Sequence, residues 1–201
     1  HNHTVFCDHA NPDATVENLI ERAKALGLDY LGISEHVRFT EEFSVFEVLS
    51  EKLAGLELGE ASPKLFLGVE MDGDPVRMDG SFVADATVFD YVILSNHRLP
   101  ETGIGVWCFH QQNYSPSQVE RIGCLWLEWL DACMENSSFQ ILGHPLRFPI
   151  ELGLFDIKQD NVFFKAIDVL KKLAAKNAAF EINNGFAAVL RKKNYFDVYA
   201  H

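Results

Sequence analysis

Extended apolar runs alternate with helical patterns from one end of this chain to the other, and most of the extended runs stop at a histidine, a glutamate or another ligand-type residue. Strands that share a direction need long connections, so this rhythm predicts an α/β fold with a parallel sheet and crossover helices. In such folds the carboxyl ends of the strands collect at one edge, where active sites form. A short extended run is expected over 1–6. A helix follows, with Val16, Leu19, Ile20, Ala23 and Leu26 on its apolar face, Thr15 as cap and Gly27 at its end. A buried strand over 28–34 stops at Glu35-His36, and a helix over 41–54 buries Phe43, Phe46, Leu49 and Leu53 before Gly55. Further strands are expected over 65–69, ending at Glu70, and over 89–94, ending at Ser95-Asn96-His97, with loop over 71–85. Ser115-Pro116-Ser117-Gln118 has the form of a capping box with proline at the first helical position, and opens a helix through Val119, Ile122, Trp126 and Trp129. A short strand over 139–142 leads into Gly143-His144-Pro145, a helix over 162–173 into a strand over 179–182, and Asn183-Asn184-Gly185 forms a turn.

With 201 residues, 48% of them hydrophobic, the chain has enough material for one well-filled domain, expected to span 1–201. A net charge of −12 repels polynucleotides and anionic membranes and leaves no basic footprint, although bound cations would reverse the potential locally. Cys7, Cys108, Cys124 and Cys133 form no Cys-x-x-Cys pair and read as reduced thiols. No run is long enough to cross a bilayer and no signal peptide is visible, so the expected location is cytoplasmic. The oligomeric state is not encoded legibly.

His1-x-His3 sets two imidazoles on one side of an extended chain, because side chains alternate with period two. Taken alone, such a pair is equally a surface feature or a tag remnant. Of the eight histidines, however, His36, His97 and His144 each follow a predicted buried strand, Glu70 ends another, and His9 lies in the first loop. Core packing does not call for that distribution. Neutral imidazole and carboxylate are ligands for zinc, manganese or iron, and a carboxylate can bridge two ions roughly 3.5 to 4 Å apart.

The segments His1-Asn2-His3-Thr4, Asp8-His9, Gly32-Ile33-Ser34-Glu35-His36, Gly68-Val69-Glu70, Ser95-Asn96-His97 and Gly143-His144-Pro145, in this order, resemble the polymerase and histidinol phosphatase (PHP) family. The resemblance runs from the first residue to about Asn184. It implies a distorted seven-stranded β/α barrel with a centre of two or three divalent ions at its carboxyl edge. Within it, His1 and His3 would hold one metal, and Glu70 would bridge to a second held by His97 and His144. His9 and His36 would hold a third, with Asp8 and Glu35 orienting the imidazoles. The family pattern closes with a late Asp-x-His, whereas this chain ends at Asp197-Val198-Tyr199-Ala200-His201, where the spacing is wrong. The closing strand is therefore expected to be missing from this stretch of chain, cut at both ends.

The activity implied is hydrolysis of a small phosphate monoester, histidinol phosphate first, by a metal-bridging hydroxide in line with phosphorus. Arg98 and Arg147, each near a proposed ligand, are candidates to grip the non-bridging oxygens, or equally to form surface salt bridges. A nuclease of the same family and a metal-binding scaffold without catalysis are the alternatives. His110 reads as a solvated or substrate-side residue, and Arg191-Lys192-Lys193 as a solvated helix face.

Overall fold

The computed structural model describes residues 1–154 and 160–181, so the expectations for 183–185, 191–193, Asp197 and His201 lie outside the described residues. The chain forms two compact units: His1–Met71 with Val83–Ile93, and Asp72–Phe82 with the described residues from Leu94 onward.

The first unit contains α1 (Val16–Ala25), β1 (Tyr30–Val37), α2 (Val45–Ala54), β2 (Lys64–Met71) and most of β3 (Tyr91–Leu94). Thr15 caps α1 by accepting the amide of Asn18 at 3.2 Å, Glu17 lies in the first turn and Arg22 and Lys24 in the last, all favourable to the helix dipole. Val16, Ile20 and Ala23 form its buried stripe. Gly27, at φ +64°, ends the helix in the left-handed region. Strands β1 and β2 pair in parallel, with Gly32 opposite Phe66, Ser34 opposite Gly68 and His36 opposite Glu70. The Tyr91 ring lies across Gly32 and Gly68, where an added Cβ would stand 2.3 Å from its hydroxyl and 2.2 Å from its ring, so only glycine fits at either place. Asp90 joins β3 to β2: its backbone N–H donates to Leu67 O at 2.8 Å and its carboxylate accepts the Leu67 amide at 2.8 Å. Ile33, Leu49, Val69 and Ile93 are fully buried, and each such side chain contributes about 1.5–3 kcal/mol. The rings of Phe43 and Phe46 meet that of Phe89 edge-on, the latter at 4.6 Å.

The second unit contains α3 (Pro116–Asn136), β4 (Ile141–Leu142), α4 (Arg147–Glu151), α5 (Asp160–Ala175) and β5 (Ala179–Phe180). The capping box is realised: the Ser115 hydroxyl accepts the Gln118 amide and the Gln118 side chain accepts the Ser115 amide. One face of α3 buries Trp126, Leu127, Trp129, Leu130, Cys133 and Met134. Helix α5 packs against α3, and Lys172 reaches Asp131 at 2.5 Å and Glu135 at 3.0 Å. Strands β4 and β5 pair in parallel, and Leu94, the last residue of β3, accepts the Gly143 amide at 2.9 Å. Strand β3 thus belongs to both units, and the order is β1-β2-β3-β4-β5. The chain is α/β, with a five-stranded sheet among the described residues.

Four expectations need correction. The N-terminal run is no strand, since its backbone contact with β1 is the Ser34 amide on Asn2 O at 2.9 Å. Strands β1 and β2 continue through Glu35-His36 and Glu70 instead of stopping before them, because both carboxylates are buried and hydrogen-bonding strand backbone carries them along. The helix over 41–54 is divided into a 3₁₀ turn, Thr40–Ser44, and α2, because the Glu42 carboxylate folds back onto the Arg38 amide at 2.6 Å. His110 lies in a 3₁₀ helix, Val106–Gln111, not in open loop. Among the described residues no helix is long and apolar enough to cross a membrane.

Candidate metal centre

In the first unit three imidazoles converge on one carboxylate oxygen. Glu70 Oε2 has His36 Nδ1 at 2.8 Å, His1 Nε2 at 2.9 Å and His3 Nε2 at 3.2 Å, and Glu70 is fully buried. His1 Nε2 and His3 Nε2 are themselves 3.1 Å apart. The β1–β2 register sets His36 beside Glu70. Asn2 sets the other two: its side chain donates to Gly32 O at 2.9 Å and its backbone N–H to Ser34 Oγ at 3.3 Å, which leaves the flanking histidines on a common side. The His3 ring stacks on that of His36 at 4.3 Å, and the His9 ring lies 5.1 Å from His36 and 5.5 Å from His3.

Glu35 braces the cluster from behind. Its Oε1 accepts the backbone N–H of Thr4 at 2.6 Å and the Thr4 hydroxyl, and its Oε2 lies 3.5 Å from His3 Nδ1. Burial lowers the pKa of His3, but its contacts with Glu35 and Glu70 outweigh that and hold it above the ordinary histidine value. A proton and a metal therefore compete for the same ring. In the loop, Asp8 Oδ1 lies 3.0 Å from His9 Nδ1, and Cys7 Sγ 3.2 Å from the same nitrogen. Burial pushes the Cys7 thiol up to about 11. A cavity of about 250 Å³ opens here, walled by Phe6, Asp8, Glu35, His36, Arg38 and Val45 among others.

In the second unit Asp72, fully buried, accepts the His97 backbone N–H at 2.8 Å on one oxygen and lies 2.7 Å from His97 Nδ1 with the other. That contact fixes the tautomer and presents Nε2 as the ligand nitrogen. His144 adopts φ +25°, donates its backbone N–H to Glu181 Oε2 at 3.1 Å, and holds its ring 5.2 Å from that of His97. The Phe148 ring is 5.4 Å from each imidazole. Both histidines are buried, at 5% and 7% exposure.

These donors fit a cation. Imidazole and carboxylate ligands at roughly 2.0–2.2 Å from an ion stand about 3 Å from one another, which is the separation found around Glu70 Oε2. Three rings crowding one oxygen have no comparable use as ordinary hydrogen bonds, since a carboxylate oxygen offers two lone-pair sites. The ligand atoms of His1, His3 and Glu70 lie within 4.8 Å of one another, as do those of His3, His9 and His36.

The sequence model of the PHP domain matches residues 1–185. The chain belongs to the PHP domain family. PHP domains form a superfamily of metal-dependent hydrolases, and the buried His, Glu and Asp clusters of this chain fit metal binding. A comparison with curated proteins yields no match.

Of the residues expected at a PHP centre, the first unit brings together His1, His3, His9, His36 and Glu70, and the second unit brings His97 next to His144. Arg98 donates Nε to Gly103 O at 2.8 Å, and Arg147 lies 3.3 Å from Glu151 with its guanidinium 5.4 Å from the Phe148 ring. His110 is exposed and packs its ring on Phe109. Sequence reasoning missed Asp72, Glu181 and Arg38. The signals were present: Glu70-x-Asp72 repeats the spacing of His1-x-His3, Glu181 is an acid within the apolar strand expected over 179–182, and Arg38 stands two residues after His36.

Proposed function

We propose that this PHP-domain chain hydrolyses phosphate monoesters at a centre of two or three divalent ions, zinc, manganese or iron. The convergence of His1, His3 and His36 on Glu70 Oε2 carries this reading. His1, His3 and Glu70 would hold one ion and His9 and His36 another, while within the second unit His97 and His144 would hold an ion. Such ions, when bound, act as Lewis acids toward phosphoryl oxygen and bring the pKa of coordinated water close to neutrality. The protein's part is to hold neutral imidazoles in place. Glu35 braces His3, and Asp72 fixes the tautomer of His97. Arg98 and Arg147 are proposed to grip the non-bridging oxygens on exchanging their present partners for substrate.

The substrate is a small monoester, with histidinol phosphate the first to test, and the net charge of −12 disfavours a polynucleotide. The same reading takes the five strands as part of a seven-stranded β/α barrel, with 1–201 as a single domain. Its four free cysteines suit a reducing, cytoplasmic setting. The test is to purify the protein without chelator, measure its metals, and assay a monoester panel beside single-stranded DNA. We expect bound zinc, manganese or iron, and monoester turnover that disappears on chelation and returns with metal. Cleavage of DNA alone would assign a nuclease instead, and bound metal without any turnover a scaffold.

A further inference from the structure

Arg38 is half-buried beside the histidine cluster, with its side chain 14% exposed. It follows β1 two residues after His36 and shares the wall of the 250 Å³ cavity with His36, Glu35 and Asp8. Glu42 holds it rigidly: Oε1 accepts Nε at 2.9 Å and Nη2 at 2.6 Å, while Oε2 accepts the Arg38 backbone N–H at 2.6 Å. The plane of the guanidinium is thereby set, and little rotamer freedom is left to lose on binding.

Glu42 offsets the charge of Arg38 from its own side, and a guanidinium near metal ligands coexists best with the cations they are suited to hold when a further anion lies between them. An anionic oxygen already occupies such a position. Asp8 Oδ1 lies 3.0 Å from His9 Nδ1 and 3.7 Å from Arg38 Nη2, on a side chain that is 70% exposed and has open solvent to retreat into. We propose that Arg38 is a phosphoryl-binding residue, and that an oxygen of the substrate's phosphoryl group takes the place between guanidinium and imidazole now held by Asp8 Oδ1. The proposal rests on the phosphoesterase reading and adds a residue to it. Like Arg147, which shares a pocket wall with His144, Arg38 shares one with a proposed metal ligand, His36.

The test titrates the metal-loaded full chain with inorganic phosphate by calorimetry, with metal content and circular dichroism measured on every sample. Arg38→Met should weaken phosphate binding by roughly 10- to 100-fold, the scale of a lost charge-assisted contact, with metal content unchanged. Arg38→Lys should fall between, because an ammonium keeps the charge but loses the fork. Asp8→Asn should tighten phosphate by roughly two- to fivefold, the scale of an exposed ion pair relieved. An Arg38→Met protein that keeps its metals and binds phosphate as wild type does overturns the assignment. Should that variant fail to fold, unchanged affinity in Asp8→Asn overturns it equally. A metal-loaded wild type that binds no phosphate at all would overturn the phosphoesterase reading together with this one, so the two failures are distinct.

Discussion

The two histidine groups of this protein are built on opposite plans. In the first unit three imidazoles point at a carboxylate oxygen that belongs among the proposed ligands, and the bracing acid, Glu35, stands behind one ring. In the second, the carboxylates of Asp72 and Glu181 act on the far side of the histidines, one on a ring nitrogen and one on a backbone amide, while Phe148 packs against both rings. A carboxylate in front of the imidazoles supplies charge to a cation, whereas a carboxylate behind them supplies orientation. Removing the first kind should cost charge and ligand together, and removing the second only precision.

The largest effect expected from this contrast belongs to Glu70→Gln, which keeps the shape but removes the negative oxygen facing His1, His3 and His36. Monoester turnover should fall by roughly a thousandfold or more, with metal lost on elemental analysis and the far-ultraviolet circular dichroism retained. Turnover close to wild type would erase the distinction between the groups. Asp72→Asn should be milder, weakening metal affinity by roughly 10- to 100-fold while leaving the ligand set complete. Competition with a chromophoric chelator reads this directly, and a loss as deep as that of the Glu70 variant would make Asp72 a ligand in its own right.

The smallest effect compares the thiols. Burial raises Cys7 to about 11 and Cys133 to about 12, from an ordinary 9.0, while Cys124 is exposed. Both buried groups stay protonated at neutral pH, so alkylation mapped by mass spectrometry should mark Cys124 first. Since folding favours their protonated forms, the stability they contribute is complete below pH 9.0 and is lost as pH rises through about 11 and then about 12. Denaturation midpoints across that alkaline range should decline, and less so for Cys133→Ala once its altered starting stability is subtracted.

Much of this was legible in the residues. The rhythm of helical and extended patterns marked α1, α3 and the parallel pairs, because their apolar spacing and caps are local signals; the Ser115 capping box is realised in full. The gathering of His1, His3, His9, His36 and Glu70 was also foreshadowed, because ligand-type residues that close apolar runs collect at one edge of a parallel sheet. What escaped depended on distance in space. The boundaries of β1 and β2 read short because Glu35 and Glu70 look like breaks, although Thr4 holds the first and His36 faces the second, both from positions remote in sequence. Asp72 was lost in a stretch rich in Gly and Asp that reads as loop, where its partner lies 25 residues away. Helix α4 spans five residues, too few to show a period. Arg38 carried only its spacing from His36, and its place becomes plain only with Glu42 folded back onto it.

The seat of Tyr91 has a consequence for descent. Gly32 and Gly68, 36 positions apart and on neighbouring strands, leave room for one phenol, and a methyl group at either would strike it. Three codons are thereby tied to each other: a larger residue at either glycine position becomes viable only in a lineage where the tyrosine has first become smaller, and a lineage that shrinks the tyrosine opens a void until a glycine position fills it. The order of such steps is constrained even though none of the three side chains is a ligand. Among relatives of this chain the trio should be inherited as a unit, or be replaced as one.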